Sequence, residues 1–470
     1  MPDARPPSSL RTYVSPAVEA FITNMTLLIR DPNLAQLFAN TLPNTLDTTV
    51  FFAGTDADGS LDSFVITGDI TAMWLRDSTN QVWPYLSLAS KDAALTALFR
   101  GLLRRQATCV LYDPYANAFN FDASTPGPHT SDDTTVEAYA GWGPASNTRT
   151  VSAMTNLIFE RKYEADSLSN VLRLGGAYWA ATGDMAPFAA DGPWVAAAAL
   201  AIHTLDAQRA GSADEDATGG PPYVFQRTTG EPSDTLEHSR GALAKRCGLI
   251  KSAFRGSDDA TVLPFSIPEN IFASSALRLA APALMAAGAV NLAVAALDLA
   301  DSVDAAVSAS GTFIHPILGS RVYAYELDGY GNYWFQDDAN IPSLLAIPIF
   351  APNIARGDPL YKATRAAVLS TANPYYFCGK AACGVGGQHN GAPWVWPMAL
   401  AAQSLSSDNE TEVAYLLKKL IDSSACTGLM HESFHSDDFG TFTRPWFAWM
   451  NSLFAEVVID ISIRFPALIF

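Results

Sequence analysis

The sequence predicts an all-α fold, roughly a dozen helices paired into a closed ring, with short β-hairpin excursions in the rim loops. Three observations lead there. Helical apolar spacing recurs from end to end, no strand–helix–strand alternation interrupts it, and no Pro-, Gly- or Ser-rich linker divides the chain. The apolar stripes of such helices must face one another, so the loops between them, rich in acids and aromatics, collect around one cavity. With 470 residues, 49% of them hydrophobic, the chain can bury a large core. It divides into a disordered or extended tail over residues 1–14 and a single domain over 15–470.

Ala17–Ile29 and Asn33–Leu42 carry helical spacing. Thr48–Ile66 is β-rich on both sides of Asp56–Ser60 and reads as a hairpin, with Gly68 marking the next turn. Helical spacing resumes at Ser78 and runs through Arg105, with a break near Ala89–Lys91. Residues 112–147 form a long loop rich in Asp, Asn, Pro, Gly and aromatics, a kind of segment that points to function inside a compact domain. Helices return over Ser167–Thr182 and Ala186–Arg209, and Ala213–Pro222 reads as a surface loop. Asn270–Ala309 is a helix hairpin broken near Gly288, with Leu292, Ala295, Ala296, Leu299 and Val303 on one face. Thr312–Gln336 is a second β excursion. Further helices follow over Asp338–Phe350, Pro393–Gln403, Glu412–Ser423 and Pro445–Ile461.

Charge narrows the partner. A net charge of −18 and only 29 Lys and Arg argue against nucleic acid, whose phosphates need clustered cations, and favour a neutral, soluble substrate. No apolar run reaches the roughly 18 residues that span a bilayer, so no membrane partner is expected. Met1–Leu10 has no apolar signal-peptide core. Cys109, Cys247, Cys378, Cys383 and Cys426 lack zinc spacing, although Cys378 and Cys383 can close a small loop in an oxidising compartment. Two sequons, at Asn24 and Asn409, together with the acidic pI, point to a secretory-pathway protein whose leader is absent from this chain, a cytoplasmic one being the alternative.

The chemistry is concentrated in five stretches. Phe64–Leu86 sets Asp69, Trp74, Arg76 and Asp77 between a strand and a helix start. A planar Arg fork beside carboxylates and an indole suits a polyhydroxylated ligand; the alternative is a braced helix start capped by Asp77 or Ser78. FRGSDDA (Phe254–Ala260) offers the adjacent Asp258 and Asp259, of which at most one points into a given pocket. YWFQDDAN (Tyr333–Asn340) joins Trp334 to Asp338 and Asn340, and GGQHNGAPWVW (Gly386–Trp396) places His389 in a Gly-rich loop as a substrate contact. Met430–Phe447 contains Glu432 with His431 and Arg444 nearby, a general base or an ordinary salt-bridged acid. There is no G-x-S-x-G elbow and no phosphate-cradling loop, and a pair of acids is the best remaining chemistry. Glycoside hydrolysis uses such a pair, one to protonate the leaving oxygen and one to activate water or attack.

Taken together and in order, GDITAMWLRDS, ERKYEADSL (Glu160–Leu168), FRGSDDA, DDANIPSLL (Asp337–Leu345) and HESF with FTRPWFAWMNSLF (Phe442–Phe454) resemble the exo-α-1,6-mannosidases of glycoside hydrolase family 125. The resemblance runs from about Thr48 to Val458. It implies an (α/α)6 barrel, an inverting reaction without metal or other cofactor, and an α-1,6-linked mannose oligosaccharide, from N-glycan or mannan, as substrate of a monomer. By motif, Glu432 would be the general base and Asp259 the general acid, with Asp258 the alternative; Gly256 stands where the family usually has Pro. Asp69, Trp74, Arg76, Asp77, Trp334, Asp338, Asn340, His389 and Arg444 would bind the terminal sugar. The rival readings are another α/α-barrel glycosidase, such as an α-glucosidase or a calcium-dependent α-1,2-mannosidase, and an inactive glycan-binding module.

Overall fold

Fifteen helices lie among residues 1–134 and 154–470, which the computed structural model describes. α1 (Pro16–Leu28) and α2 (Pro32–Thr41) begin on prolines, whose missing N–H costs nothing in a first turn, and Ser15 and Asp31 cap them. A short α3 (Asn44–Thr48) leads into the hairpin of Val50–Thr55 with Leu61–Val65. α4 (Leu75–Val82) continues as a 3-10 turn over Trp83–Lys91 into α5 (Ala93–Tyr112), capped by Asp92. Then come α6 (Ala165–Thr182), α7 (Pro193–Ala207), α8 (Ser212–Ala217), α9 (Ile267–Ala286) and α10 (Val290–Ser310). The chain closes with α11 (Ile347–Phe350), α12 (Pro359–Val368), α13 (Pro397–Leu405), α14 (Glu410–Ser423) and α15 (Ala448–Arg464).

Burial sorts these helices into two layers. α9 buries 14 of its 20 residues and α6 12 of 18, whereas α10 buries only 7 of 21. A helix apolar nearly all round belongs inside, and one with a single apolar stripe belongs outside. In the inner layer α13 packs on α15, α15 on α4, α4 on α6, α6 on α9 and α9 on α11. Outside them α2 lies on α15, α5 and α7 on α6, α10 on α9 and α14 on α13. This is the (α/α)6 barrel. α6 approaches its inner neighbour α9 and its outer neighbour α7 closely because it carries Gly176 and Gly175. A Cβ at Gly176 would stand 2.3 Å from the Leu279 carbonyl oxygen of α9, and one at Gly175 would stand 2.2 Å from the Trp194 ring of α7.

Short strands lead into the inner helices. Met73–Trp74 precedes α4, Phe265–Ser266 precedes α9 and Trp394–Val395 precedes α13. Each belongs to a three-stranded sheet: the first with Ala118–Phe119 and Ile158–Glu160, the second with Glu326–Leu327 and Tyr333–Trp334, the third with Ser433–His435 and Asp438–Thr443. These sheets gather the N-terminal ends of the inner helices, with their positive dipole ends, at one rim. A further hairpin, Tyr376–Cys378 with Cys383–Val385, is closed by the Cys378–Cys383 disulfide.

Several boundaries differ from the expected ones. The helix predicted over Asp338–Phe350 is reduced to α11. Pro342 supplies no N–H and restrains Ile341, and both Asp337 carboxylate oxygens accept from the Leu344 and Leu345 amides, an alternative to helical bonding. The surface loop at Ala213–Pro222 begins as α8, with the Asp214 carboxylate accepting from the Gly211 amide. Of the long loop over 112–147, residues beyond 134 lie outside the described residues. The first 14 residues form an extended arm held to the barrel: Arg5 bridges Glu19 and Asp47, and the Thr12 and Tyr13 amides donate to Asp47 and Leu46 carbonyls.

Candidate active site

The loops at the strand-lined rim enclose a cavity with about 440 Å³ of atom-free space, bordered among others by Trp74, Arg76, Asp77, Asp258, His389 and Glu432. At its centre is Arg76, in the first turn of α4 and 3% exposed in its side chain. Its Nη1 donates to Glu164 Oε2 at 2.6 Å and its Nη2 to Asp258 Oδ1 at 2.9 Å. Asp166 and Asp77 lie 3.5 and 3.6 Å from the same guanidinium. One cation therefore faces four carboxyl groups.

Burial and that imbalance set the protonation of the cluster. Burial pushes Asp77 and Asp166 each up to about 6 against the pull of Arg76. Burial also raises Glu164 well above the usual carboxylate range. Burial pushes Asp258 up too, but Arg76 and Lys162 outweigh it and hold that carboxyl below the usual range. Asp258 is the most exposed of the four, 28% in its side chain.

The turn of Phe254–Ala260 separates its two acids. The Arg255 amide donates to the Asp259 carbonyl and the Asp258 amide to the Arg255 carbonyl, both at 2.8 Å, while Phe254 and Ala260 form a β-bridge. Arg255 anchors the turn by donating to Glu326 Oε1 at 2.6 Å and Gln388 Oε1 at 2.7 Å. Asp258 sits in the left-handed region, φ 67°, one that Asp tolerates better than most residues. Its carboxylate lines the cavity and accepts from Trp74 Nε1 at 3.2 Å. Asp259 does not line it. That side chain is buried behind the turn, 3.8 Å from His389 Nδ1, and burial raises its pKa.

On the loop before α15, Glu432 is 5% exposed and lines the same cavity. Its Oε1 lies 3.0 Å from Arg444 Nε, and its Oε2 accepts from the Thr443 hydroxyl at 3.1 Å. Arg444 also reaches Asp69 Oδ1 at 3.0 Å, from a backbone φ of 49°. His431 does not act beside Glu432: its ring stacks on Phe442, and its nitrogens meet backbone carbonyls.

Of the expected sugar-binding residues, Trp74, Arg76, Asp77, Asn340, His389 and Arg444 line this cavity. Asp69 stands at the rim, exposed and paired with Arg444. Asp338 is buried outside the lining and accepts from the Asn340 amide at 3.0 Å. Trp334 is a correction: it is 40% exposed on the strand paired with Glu326–Leu327, donates to Gln336 Oε1 at 2.7 Å, and does not border the cavity. Sequence reading missed Asn117, Glu164 and Asp166 around Arg76, and Trp396, Phe447 and Trp449 as aromatic walls. The acids stand in the quoted stretch ERKYEADSL, next to the start of α6, where a helix dipole and a facing Arg were the available signal. Ser257 Oγ and Trp396 Nε1 are buried and have no protein partner among the described residues, which suits them to hydroxyl groups of a ligand. Among the described residues no group of three or more His, Cys, Asp or Glu is arranged to hold a metal ion.

Comparison with known proteins points the same way. Residues 31–459 match the family model described as metal-independent alpha-mannosidase (GH125). The chain is 41% identical to the meiotically up-regulated gene 157 protein of Schizosaccharomyces pombe, over 100% of this chain and 90% of that protein. It superposes with a TM-score of 0.85, at 36% identity, on a metal-independent α-mannosidase of Streptococcus pneumoniae in a non-productive complex with α-1,6-mannobiose. The match covers 96% of this chain and 100% of that one. A bacterial glucoamylase complexed with acarbose shares the fold, with a TM-score of 0.54 at 11% identity, over 94% of this chain and 57% of that one.

Proposed function

The chain belongs to glycoside hydrolase family 125, the metal-independent α-mannosidases, and from that premise we propose an exo-acting, inverting hydrolysis of terminal α-1,6-linked mannose. The observation that carries the mechanism is that Asp258 and Glu432 border one cavity while each is held by its own arginine, Arg76 or Arg444. Glu432 then deprotonates a water, and Asp258 protonates the departing oxygen. Arg444 and the Thr443 hydroxyl aim the Glu432 carboxylate. Arg76, Asp77, Asn340 and His389 hold the sugar hydroxyls, and Trp74, Trp396 and Trp449 wall the ring. The α-1,6 specificity is supported by the mannobiose bound to the streptococcal neighbour.

Between the two neighbouring acids, access favours Asp258 over Asp259. Asp258→Asn is expected to lower turnover of α-1,6-mannobiose by about 10²–10⁴-fold, the usual contribution of a general acid, and Asp259→Asn by much less. The reverse order would return the role to Asp259. For the reaction itself, the protein is offered α-1,2-, α-1,3- and α-1,6-mannobiose, and NMR identifies the first anomer released. Mannose from the α-1,6 disaccharide alone, appearing first as the β-anomer, is the expected result; α-mannose would mean retention. The natural substrate on this reading is an N-glycan or mannan oligosaccharide met in the secretory pathway. The exposed sequon residues Asn24 and Asn409 and the Cys378–Cys383 pair support that location. Expression in a eukaryotic host, with a mass shift on enzymatic removal of N-glycans, tests it.

A further inference from the structure

The general acid is the least protonated member of its cluster. Asp258 carries the Arg76 Nη2 and Trp74 Nε1 hydrogen bonds on one oxygen, and its own backbone carbonyl accepts from Lys162 Nζ at 2.7 Å. Three donors or cations crowd a group that must supply a proton. The nearest carboxyl that can hold one is Glu164. Its side chain is wholly buried, tied down by Arg76 Nη1, Asn117 Nδ2 at 3.1 Å and Ser167 Oγ at 2.9 Å, and shares the donors Arg76 and Asn117 with Asp258. Asn117 Nδ2 also reaches Asp258 Oδ1 at 3.4 Å and thereby spans the two carboxyls.

We propose that Glu164 stores the proton that Asp258 delivers to the glycosidic oxygen, acting as a positioning residue one step behind the acid. It rests on the reading of Asp258 as that acid. The groups facing Glu164 leave it the natural holder. Arg76 comes from α4, Asp166 from α6 itself, Tyr223 from the loop beyond α8 and Asp258 from the turn above, and Asn117 Nδ2 links Glu164 to Glu160 on the strand before α6. One guanidinium, Arg76, shared by Glu164, Asp258, Asp166 and Asp77 cannot keep all four ionised, and Glu164 has no exposed surface. Burial accordingly holds its pKa high.

The proton count closes. As the C1–O bond breaks, its electron pair stays on the leaving oxygen, which takes the proton from Asp258. That proton reaches Asp258 as the Glu164 O–H breaks, so the step ends with both carboxyls ionised. On the other face Glu432 removes a proton from water while the new C1–O bond forms. After product release, Glu432 returns its proton to solvent and Glu164 takes one up, so one water is consumed.

The test compares two substrates and two variants. 2,4-Dinitrophenyl α-mannoside leaves without protonation; α-1,6-mannobiose does not. Glu164→Gln keeps the side-chain shape but holds no transferable proton. Turnover of mannobiose should fall about 100-fold with KM little changed, and dinitrophenyl mannoside should lose less than about 3-fold. The alkaline limb of the mannobiose pH profile should also move to lower pH, because Asp258 alone, held low by Arg76, then governs it. Equal losses on both substrates, or an unmoved limb, overturn the proposal. Asp258→Asn must show the same substrate split; if it does not, the assignment of the acid fails instead. Glu164→Asp, which keeps a titrating group, serves if the Gln variant does not fold: it should retain more mannobiose turnover than Asp258→Asn and show a displaced alkaline limb, and failing either refutes the role.

Discussion

Replacing Arg76 with Met leaves Asp77, Glu164, Asp166 and Asp258 without the cation they share, and the cost can be worked from the contacts. Two charged hydrogen bonds, to Glu164 and Asp258, are lost, each worth about 1.5–3 kcal/mol. Removing one partner from a buried ion cluster costs a comparable ~3–5 kcal/mol. With an unfolding entropy of about 2.1 cal/mol/K per residue, a chain of 470 residues loses stability at about 1 kcal/mol per degree near its midpoint. The variant's Tm should therefore fall by ~3–5 °C. The loss should also depend on pH. Without Arg76 the folded-state pKa values of Asp77, Glu164 and Asp166 rise further above their unfolded values and Asp258 loses a cation that holds it low, so the folded variant binds more protons. Its stability is best in acid and declines as pH rises through those values. Circular-dichroism melts of wild type and variant at pH 4.5 and 7.5 measure both effects. A Tm difference below about 1 °C, or one that does not widen at the higher pH, refutes the view that Arg76 holds the cluster together.

Other expectations follow from the same geometry. Glu432→Gln should lose at least about 10²–10⁴-fold in turnover with an unchanged melt, since only a base is removed; near-normal activity would dismiss Glu432 from that role. Burial pushes Asp77 up to about 6, so the carboxylate proposed to accept sugar hydroxyls is lost as pH falls through that value. Calorimetry should find mannose binding weaker at pH 5 than at pH 7 in the wild type and pH-independent in Asp77→Asn, and a flat wild-type profile would contradict this. Gly176→Ala forces α6 and α9 apart, because its Cβ meets backbone at 2.3 Å. A loss of ~1–3 kcal/mol in urea unfolding is expected, and an unchanged midpoint would show that the helices can separate freely.

Helix existence was legible from apolar spacing, because a buried helix repeats its pattern over many turns; α9, α10, α14 and α15 all overlap stretches read as helical, with ends that differ by up to three residues. Asp338–Phe350 was misread because its apolar run is buried for a different reason. It is an irregular segment held by Asp337, and apolar composition without periodicity does not separate the two. The site was legible wherever acids, Arg and aromatics stood together. Trp334 satisfied that local criterion yet lies off the cavity, because strand pairing decides which way a side chain faces. The choice between Asp258 and Asp259 was illegible for a related reason. One left-handed residue sends adjacent carboxylates in different directions, and nothing in FRGSDDA marks which residue adopts it.

The barrel closes where α15 meets α4 and the neighbouring α3, and that seam is polar. Asn451 Nδ2 donates to Asn44 Oδ1, Ser452 Oγ donates to the Gln81 carbonyl, and the Ser452 and Thr45 hydroxyls lie 3.2 Å apart. Ser452 and Gln81 are 371 positions apart in the chain. A ribosome-bound chain must therefore hold the α4 edge open until α15 emerges, and the loop carrying Glu432 arrives only just before it. Half of the proposed catalytic pair and the closing helix are delivered together, so on that assignment activity is a property of the completed ring and cannot precede it. A polar seam also suits that wait, since an unpaired edge of Asn, Gln and Thr is solvated by water, whereas an apolar one would recruit the wrong partner.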